Sequence, residues 1–194
     1  MSNHHCHIIH AMEASIAVKN LILSDNAFVQ RLSNAVDICV KSLKSGGRVW
    51  FAGNGGSAAD AQHLAAELSG RFYLDRPPLP AEALHVNSSF LTAVANDHGY
   101  EKVYSRLLQG CAHAGDVLVA ISTSGNSENI IEAAKMAKSL NLNVIAFTGN
   151  TGGVLRDYCD LLLNVPCDDT PRIQESHIMI GHILCENIER ELFG

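Results

Sequence analysis

The chain has 194 residues and a formal net charge of −6 at pH 7, and 47% of its residues are hydrophobic. This length is typical of one domain, or of one domain with a helical extension, and the apolar fraction is enough for a large core. No basic stripe is present, so we expect no nucleic-acid partner, and no apolar run approaches the roughly 20 residues of a membrane helix. The six cysteines form no paired motif and no signal-peptide core precedes them, which predicts reduced thiols in a cytoplasmic protein.

The first ten residues contain four histidines and one cysteine. A metal-binding tail is one interpretation of this composition. A flexible or artificial terminus is the simpler interpretation, because nothing in this stretch would fix the geometry of metal ligands. We therefore divide the chain into a flexible His-rich N-terminus, residues 1–10, and a single domain, residues 11–194.

A helical segment opens this domain. Apolar residues recur three, four or seven positions apart over residues 11–44, which predicts helix, and Ser24 to Asn26 interrupts the pattern and could cap a second helix. This lead-in is more apolar than one face of a sheet requires, so we expect part of it to pack against another subunit.

Short apolar strands alternate with helices along the rest of the chain. Strands are predicted over residues 48–52, 83–86, 116–121, 144–148 and 161–165, and helices over 58–69, 89–95, 100–111, 128–140, 153–158 and from a cap at Thr170 to 192. Alternating elements and continuously apolar strands predict an α/β fold with a parallel sheet covered by helices on both faces. In such sheets, ligands bind outside the carboxyl ends of the strands.

The segment Ser122–Ser127 connects a predicted strand to a predicted helix and contains four hydroxyl groups and one glycine. Free N–H groups and the positive end of the helix dipole favour an anion there, most naturally a phosphate. An ordinary helix cap is the alternative, although a cap needs only one such residue. The segment lacks the lysine of a Walker A loop, so a nucleoside triphosphate is not expected. If the segment were only a cap, three arginines would be the next candidate anchors: Arg71, Arg76 and Arg172.

A second loop of small residues, 53–57, also follows a strand and opens a helix. Its glycines allow positive φ and let a ligand approach the backbone closely. Gly53, Gly55 and Ala58 match the dinucleotide fingerprint formally, but the next predicted strand ends in Asn87 where an acidic residue is required, so a dehydrogenase is the weakest hypothesis. A polar turn is predicted over residues 96–99, and one crevice could hold all three loops.

Two helices contain residues suited to chemistry. His63 and Glu67 lie four apart on one helical face and suit a divalent metal or acid–base catalysis, although an inert surface pair is the simpler explanation. The last helix places Gln174, His177 and His182 in a largely apolar pattern, where ligand roles and hydrogen-bonded structural roles are equally acceptable.

Four segments are similar to a known family, in the order and at the spacing that the family shows. In them the chain resembles the sugar isomerase (SIS) domain and, within that family, the phosphoheptose isomerases. The resemblance implies a five-stranded parallel sheet in a flavodoxin-like three-layer arrangement, and a homotetramer with active sites between subunits. The anion site would then hold the phosphate of a sugar phosphate. The four segments are Gly53–Phe72, Thr92–Glu101, Gly115–Ile130 and Thr170–Glu189.

The resemblance also implies roles for individual residues. One zinc ion per subunit would be bound by His63, Glu67, Gln174 and His182. Gln174 and His182 are eight residues apart, about 12 Å along a straight helix, so one ion would require long reaches, an irregular first turn or ligands from different chains. The implied substrate contacts are Asn54, Gly55, Gly56, Glu67, Asn96, Asp97, Ser122, Thr123, Ser124, Ser127 and Gln174.

The implied activity is an aldose–ketose isomerisation. It would convert sedoheptulose 7-phosphate to D-glycero-D-manno-heptose 7-phosphate through an enediol(ate), as the first step towards heptose for lipopolysaccharide or capsule, with Glu67 as base and His182 as acid. The alternative is a non-catalytic SIS protein that binds a sugar phosphate or a replication initiator. Because Glu67, His182 and the other implied ligands are all present, the enzyme is favoured.

Overall fold

The structure, a computed structural model, describes residues 3–194. It contains a five-stranded sheet, seven α-helices and two short 3₁₀ helices at Tyr100–Lys102 and Val154–Tyr158 within that range. Among residues 3–194, no helix combines the length and the apolar character needed to cross a bilayer. In chain order the elements are α1 (Asn3–Ser24), α2 (Asn26–Lys44), β1 (Val49–Ala52), α3 (Gly56–Ser69), β2 (Ala81–Ala83), α4 (Ser88–His98), α5 (Val103–Cys111), β3 (Val117–Ser122), α6 (Glu128–Ser139), β4 (Asn143–Thr148), β5 (Leu161–Asn164) and α7 (Thr170–Phe193).

All five strands are parallel and lie in the order β2-β1-β3-β4-β5. This confirms the predicted five-stranded parallel sheet, and the strand order is that of flavodoxin-like folds. The chain leaves β1 towards one edge of the sheet and leaves β3 towards the other, so a crevice opens between the carboxyl ends of these adjacent strands. The two loops of small residues, 53–57 and 122–127, follow β1 and β3 and therefore meet at this crevice.

Successive side chains of each strand point to opposite faces of the sheet and complete two apolar cores. In β1, Val49 and Phe51 pack with the side chains of α2, α3 and α7. Trp50 and Ala52 pack with those of α4, α5 and α6 on the other face. The predicted three-layer arrangement is confirmed, and α3 and α7 lie together on one face.

The helical lead-in is two helices, as predicted, separated at Asp25. The Asp25 carboxylate caps α2 by accepting hydrogen bonds from the N–H groups of Ala27 at 2.9 Å and Phe28 at 3.1 Å. The start of α1 differs from the prediction, because the helix begins at Asn3 and not at residue 11. No glycine or proline interrupts this sequence, so nothing in it stops the helix at residue 11.

The edge strand β2 lies earlier in the chain than predicted. It pairs with β1 over Ala81–Ala83, whereas the apolar run suggested residues 83–86. The predicted end of the strand, Asn87, instead caps α4, and its side chain accepts a hydrogen bond from the N–H of Phe90 at 3.0 Å. Asn87 is therefore a helix cap and not the end of the strand.

Two further helix ends differ from the prediction. Helix α4 continues through Asn96 and Asp97, which we expected in a turn, and ends at Gly99, where φ is +89°. Helix α7 is preceded by Asp169 as its N-cap, so Thr170 is the first helical residue and not the cap. Both shifts are of one helical turn or less and leave the order of elements unchanged.

Candidate active site

The hydroxyl-rich loop after β3 is built around a contact between its first and last serines. Ser122 is buried at the end of β3, and its Oγ lies 3.0 Å from Oγ of Ser127. Ser127 is the N-cap residue of α6, but its side chain makes no hydrogen bond to the first turn of the helix. The loop therefore does not form the side-chain cap that the alternative explanation requires.

The backbone of this loop depends on Gly125, which has a φ of +66°. A Cβ atom at this position would lie 2.0 Å from the carbonyl oxygen of Gly152, so only glycine fits. The Gly125 carbonyl accepts from the N–H of Leu155 at 2.9 Å, and the Asn126 side chain accepts from the N–H of Val154 at 3.0 Å. The segment after β4 thus stabilises the conformation of the loop through the hydrogen bonds that its backbone N–H groups donate.

A polar cavity of about 180 Å³ adjoins this loop. Thr123 and Ser124 line it, and Ser124 Oγ accepts a hydrogen bond from the N–H of Asn126 at 3.1 Å. The cavity combines the hydroxyl groups of this loop with the first residue of α7, Thr170, and with the carboxylate of Asp168. Its other lining residues are Gly149, Asn150, Thr151, Cys167, Asp168, Thr170 and Ile173.

The two small-residue loops are tied together by a pair of amides. Asn54 and Asn129 each donate to the other's side-chain oxygen at 2.8 Å, and Asn129 is buried in the first turn of α6. Tyr104 donates its hydroxyl to the Gly53 carbonyl at 2.7 Å, and Tyr100 reaches the Asn54 oxygen at 3.3 Å. Asn129 and both tyrosines were not predicted from the sequence, because the burial that makes Asn129 need hydrogen-bond partners is visible only in the structure.

The remaining predicted substrate contacts are divided between two places. Gly55 precedes α3 with a φ of +54°, and a Cβ on Gly56 would lie 2.6 Å from Nε2 of Gln174, so the glutamine lies against the start of α3. Asn96 and Asp97 are exposed, and among residues 3–194 their side chains hydrogen-bond only to each other, at 2.8 Å. This chain therefore brings Gln174 to the small-residue loops and leaves Asn96 and Asp97 open at the surface.

Three titratable side chains meet between α3 and α7. His63 Nε2 lies 3.2 Å from Oε1 of Glu67 and 2.9 Å from Nε2 of His182. The side chain of His63 is 50% exposed and that of Glu67 is 21% exposed, and the ring of Phe72 packs 5.8 Å from the His182 ring. The group is thus open to solvent on one side and apolar on the other, which suits a reacting site.

The geometry of these three side chains fits a divalent metal. Their ligand atoms all lie within 4.8 Å of one another. Bonds of 2.0 to 2.1 Å in a tetrahedral arrangement separate neighbouring ligand atoms by about 3.3 Å, close to the 2.9 and 3.2 Å found here. Two imidazole nitrogens that face each other also share at most one hydrogen, whereas a cation satisfies both.

Gln174 is separated from this group along α7. It lies eight residues before His182 on a helix that is continuous from Thr170, and it contacts Gly56. Gly56 is the first residue of α3, about 10 Å along the axis from His63. The structure therefore brings three of the four predicted ligands together and places the fourth near the start of α3.

The other candidate groups have structural partners. His177 is fully buried and donates Nε2–H to the Thr148 carbonyl at 3.0 Å, and burial lowers the pKa of its imidazole to about 4. Arg76 is buried in an ion pair with Glu189, and Arg172 donates to the Ala11 carbonyl at 2.6 Å. His177 is thus a neutral core residue, and Arg76 is not available to anchor a phosphate.

The chain is similar to known proteins over nearly its whole length. The SIS domain family matches residues 18–149. The phosphoheptose isomerase of Mycobacterium bovis is 53% identical over 180 residues, which cover 93% of this chain and 92% of that protein. A solved phosphoheptose isomerase from Francisella tularensis superposes with a TM-score of 0.92 at 37% identity, covering 97% of this chain and 100% of that one. The phosphoheptose isomerase from Neisseria gonorrhoeae superposes with a TM-score of 0.88 at 41% identity, covering 95% of this chain and 98% of that one.

Proposed function

The chain belongs to the SIS domain family and, within it, to the phosphoheptose isomerases; from this membership and the site geometry we infer that it isomerises sedoheptulose 7-phosphate. The product is D-glycero-D-manno-heptose 7-phosphate, a precursor in heptose biosynthesis. The observation that carries this conclusion is the meeting of Glu67 with two imidazoles at one open site. We further propose that the heptose is used for lipopolysaccharide or capsule.

The reaction moves a proton from C1 to C2 while the carbonyl moves from C2 to C1. We assign Glu67 as the base that takes the C1 proton and returns it at C2 of the enediol(ate). His182 is assigned as the acid that protonates O2 and, once deprotonated, takes the proton that O1 loses. Both groups lie within contact distance of His63, so one sugar carbon pair can reach both.

The phosphate and the rest of the substrate are assigned to the loops after β1 and β3. We propose that the hydroxyls of Ser122, Thr123, Ser124 and Ser127 bind the phosphate. The start of α3, with Gly55 and Gly56, lies about 10 Å from His63 along the helix. The proposed sugar contacts are Asn54, Gly55, Gly56, Glu67, Asn96, Asp97 and Gln174.

We propose that the metal is zinc, one ion per subunit, held by His63, Glu67 and His182. The predicted fourth ligand, Gln174, lies near the start of α3 in this chain, so it would have to come from a neighbouring subunit. When bound, zinc would supply Lewis acidity beside the reacting oxygens. Because a carboxylate that binds a metal tightly is not a free base, the Glu67 carboxylate would shift from the metal when it takes the C1 proton. Treatment with a chelator should abolish most turnover, and added zinc should restore it. An active protein that contains no metal and is unaffected by chelators would rule out zinc while leaving the isomerase assignment intact.

We propose a homotetramer with active sites between subunits. Three apolar side chains on one face of α1, Ile8, Met12 and Ile16, are exposed in the single chain and suit burial against another subunit. Asn96 and Asp97, exposed here, are suited to complete a neighbour's site. We place the protein in the cytoplasm because its six cysteines are free thiols.

The direct test is an assay of the purified protein with sedoheptulose 7-phosphate. We expect release of the aldose phosphate. Binding of the sugar phosphate without conversion would instead support a non-catalytic SIS protein, and capture of a replication initiator would support the other non-catalytic alternative. A dehydrogenase would have to bind NAD, which we do not expect.

A further inference from the structure

A buried ion pair joins the two helices of the proposed active site. The side chains of Arg76 and Glu189 are each 2% exposed, with Arg76 Nε 2.8 Å from Oε2 of Glu189. The Glu189 carboxylate also accepts the backbone N–H groups of Phe72, Tyr73 and Leu74 at 2.8 to 3.1 Å. Burial alone would raise the pKa of Glu189, but these donors outweigh it and hold the pKa below its usual range.

The other side of this pair contacts the end of α3. The Arg76 guanidinium donates to the carbonyls of Glu67 at 2.9 Å and Leu68 at 2.8 Å, and more weakly to that of Gly70 at 3.3 Å. Terminal helix carbonyls otherwise lack partners, and a cation there also complements the helix dipole. Arg76 thus fixes the last turn of α3 at the residue that we assign as the base.

Glu189 has the corresponding place on α7. It follows His182 by seven residues, close to two helical turns, so both project from the same face of the helix. Glu189 accepts a hydrogen bond from the backbone N–H of Phe72, and the centroid of the Phe72 ring lies 5.8 Å from that of the His182 ring. One carboxylate therefore anchors both α7 and the ring that supports His182.

The apolar packing of α3 against α7 does not by itself fix the position of Glu67 relative to His182. Gly181 lets α7 approach α3 closely, since a Cβ there would lie 2.4 Å from the Leu64 side chain. Such an apolar contact sets the distance between the helices and fixes their axial register only weakly. A directional pair whose partners are four carbonyls and three N–H groups fixes that register.

We propose that Arg76 and Glu189 are positioning residues that hold Glu67 and His182 at reacting distance. This inference rests on the proposed function and extends it to two residues that touch neither substrate nor metal. Outer partners of metal-binding residues typically change metal affinity or activity by about 10- to 100-fold when mutated. An error of about 1 Å in catalytic geometry has a comparable effect on turnover.

The test compares Glu189→Gln with Glu186→Gln, a matched change on the same helix. Glu186 is half-buried and forms an ion pair with the exposed Arg190. Both proteins are checked for folding by circular dichroism and then measured for Zn²⁺ affinity, kcat, KM and inhibition by inorganic phosphate. For Glu189→Gln we expect Zn²⁺ affinity and kcat each to fall by about 10- to 100-fold, with KM and phosphate inhibition within about twofold. Glu186→Gln should match the unmodified protein in all four.

A folded Glu189→Gln protein with unchanged Zn²⁺ affinity and kcat would overturn the proposal and leave the pair a purely stabilising one. If Glu189→Gln does not fold, Arg76→Lys decides by the same measurements, because it keeps the charge and loses the contacts to the Glu67 and Leu68 carbonyls. Failure of both variants to fold would assign the pair to global stability and also overturn the proposal. Absence of turnover in the unmodified protein would refute the proposed function, while Zn²⁺ affinity would still test the positioning role.

Discussion

The loop of residues 122–127 and the group His63, Glu67 and His182 are built in different ways. The loop uses six consecutive residues and is shaped by one glycine and by backbone hydrogen bonds. The group joins side chains 119 positions apart in the chain and depends on the packing of α3 against α7. The first arrangement suits a constant task, holding a phosphate, and the second concentrates chemistry where two rigid helices meet. Substitutions in the loop should therefore change binding, and substitutions in the group should change turnover.

The largest effect is expected at Glu67. Glu67→Gln keeps the size of the side chain but removes the base, so kcat should fall by about a thousandfold or more while sedoheptulose 7-phosphate still binds. Turnover assays and binding calorimetry measure the two quantities. Glu82 lies on β2 and forms an exposed ion pair with Arg48. Glu82→Gln is therefore the matched control and should be fully active. Retained activity in Glu67→Gln would remove Glu67 from the mechanism.

A smaller effect, on KM, is expected in the loop. A hydrogen bond from a neutral hydroxyl to a charged phosphate contributes about 1.5 to 3 kcal/mol, so Ser124→Ala should raise KM about ten- to a hundredfold and weaken inhibition by inorganic phosphate. Turnover should fall only as far as the anchor positions C1 and C2. Ser139→Ala, which removes an exposed hydroxyl at the other end of α6, is the control. Unchanged KM and phosphate inhibition in Ser124→Ala would remove Ser124 from the proposed phosphate site.

No effect on turnover is expected at His177, the buried histidine of α7. Its pKa is about 4 in the folded protein against an ordinary 6.5, so the unfolded chain binds more protons between these values. The free energy of unfolding should therefore be highest above pH 6.5 and fall by up to about 3 kcal/mol as the pH approaches 4. In His177→Gln the free energy of unfolding should lose this contribution to its pH dependence. Urea unfolding of both proteins at pH 7.5 and pH 4.5 measures the difference. The same fall in both proteins would contradict the assignment.

The same contrast explains how much could be predicted from the sequence. The parallel sheet and the hydroxyl-rich loop depend on local patterns, apolar runs and clustered hydroxyls, so both could be identified directly. The edge strand was misplaced because Ala81–Ala83 is short and only partly apolar, whereas pairing with β1 decides its position. The end of α4 was missed because Asn96 and Asp97 favour turns, while Gly99 ends the helix.

The catalytic group was only half accessible to sequence reasoning. The spacing of His63 and Glu67 indicates a shared helical face, but only the family resemblance selected His182 over His177 on the last helix. The pairing of Arg76 with Glu189 left no sequence signal at all, because a buried charge looks the same as an exposed one until the packing of α3 against α7 is known. Contacts between distant helices are what local patterns do not encode.

The measurement that tests the central claim most directly follows hydrogen at C2 of the product. The purified protein is incubated with sedoheptulose 7-phosphate in D₂O for many reversible turnovers, and the sugars are examined by NMR. Proton transfer through the Glu67 carboxylate predicts deuterium at C2 of the aldose, because a protonated carboxylate at this partly exposed site exchanges with solvent. An aldose product that contains no deuterium at C2 would contradict the account, since the hydrogen would then pass from C1 to C2 without a protein base.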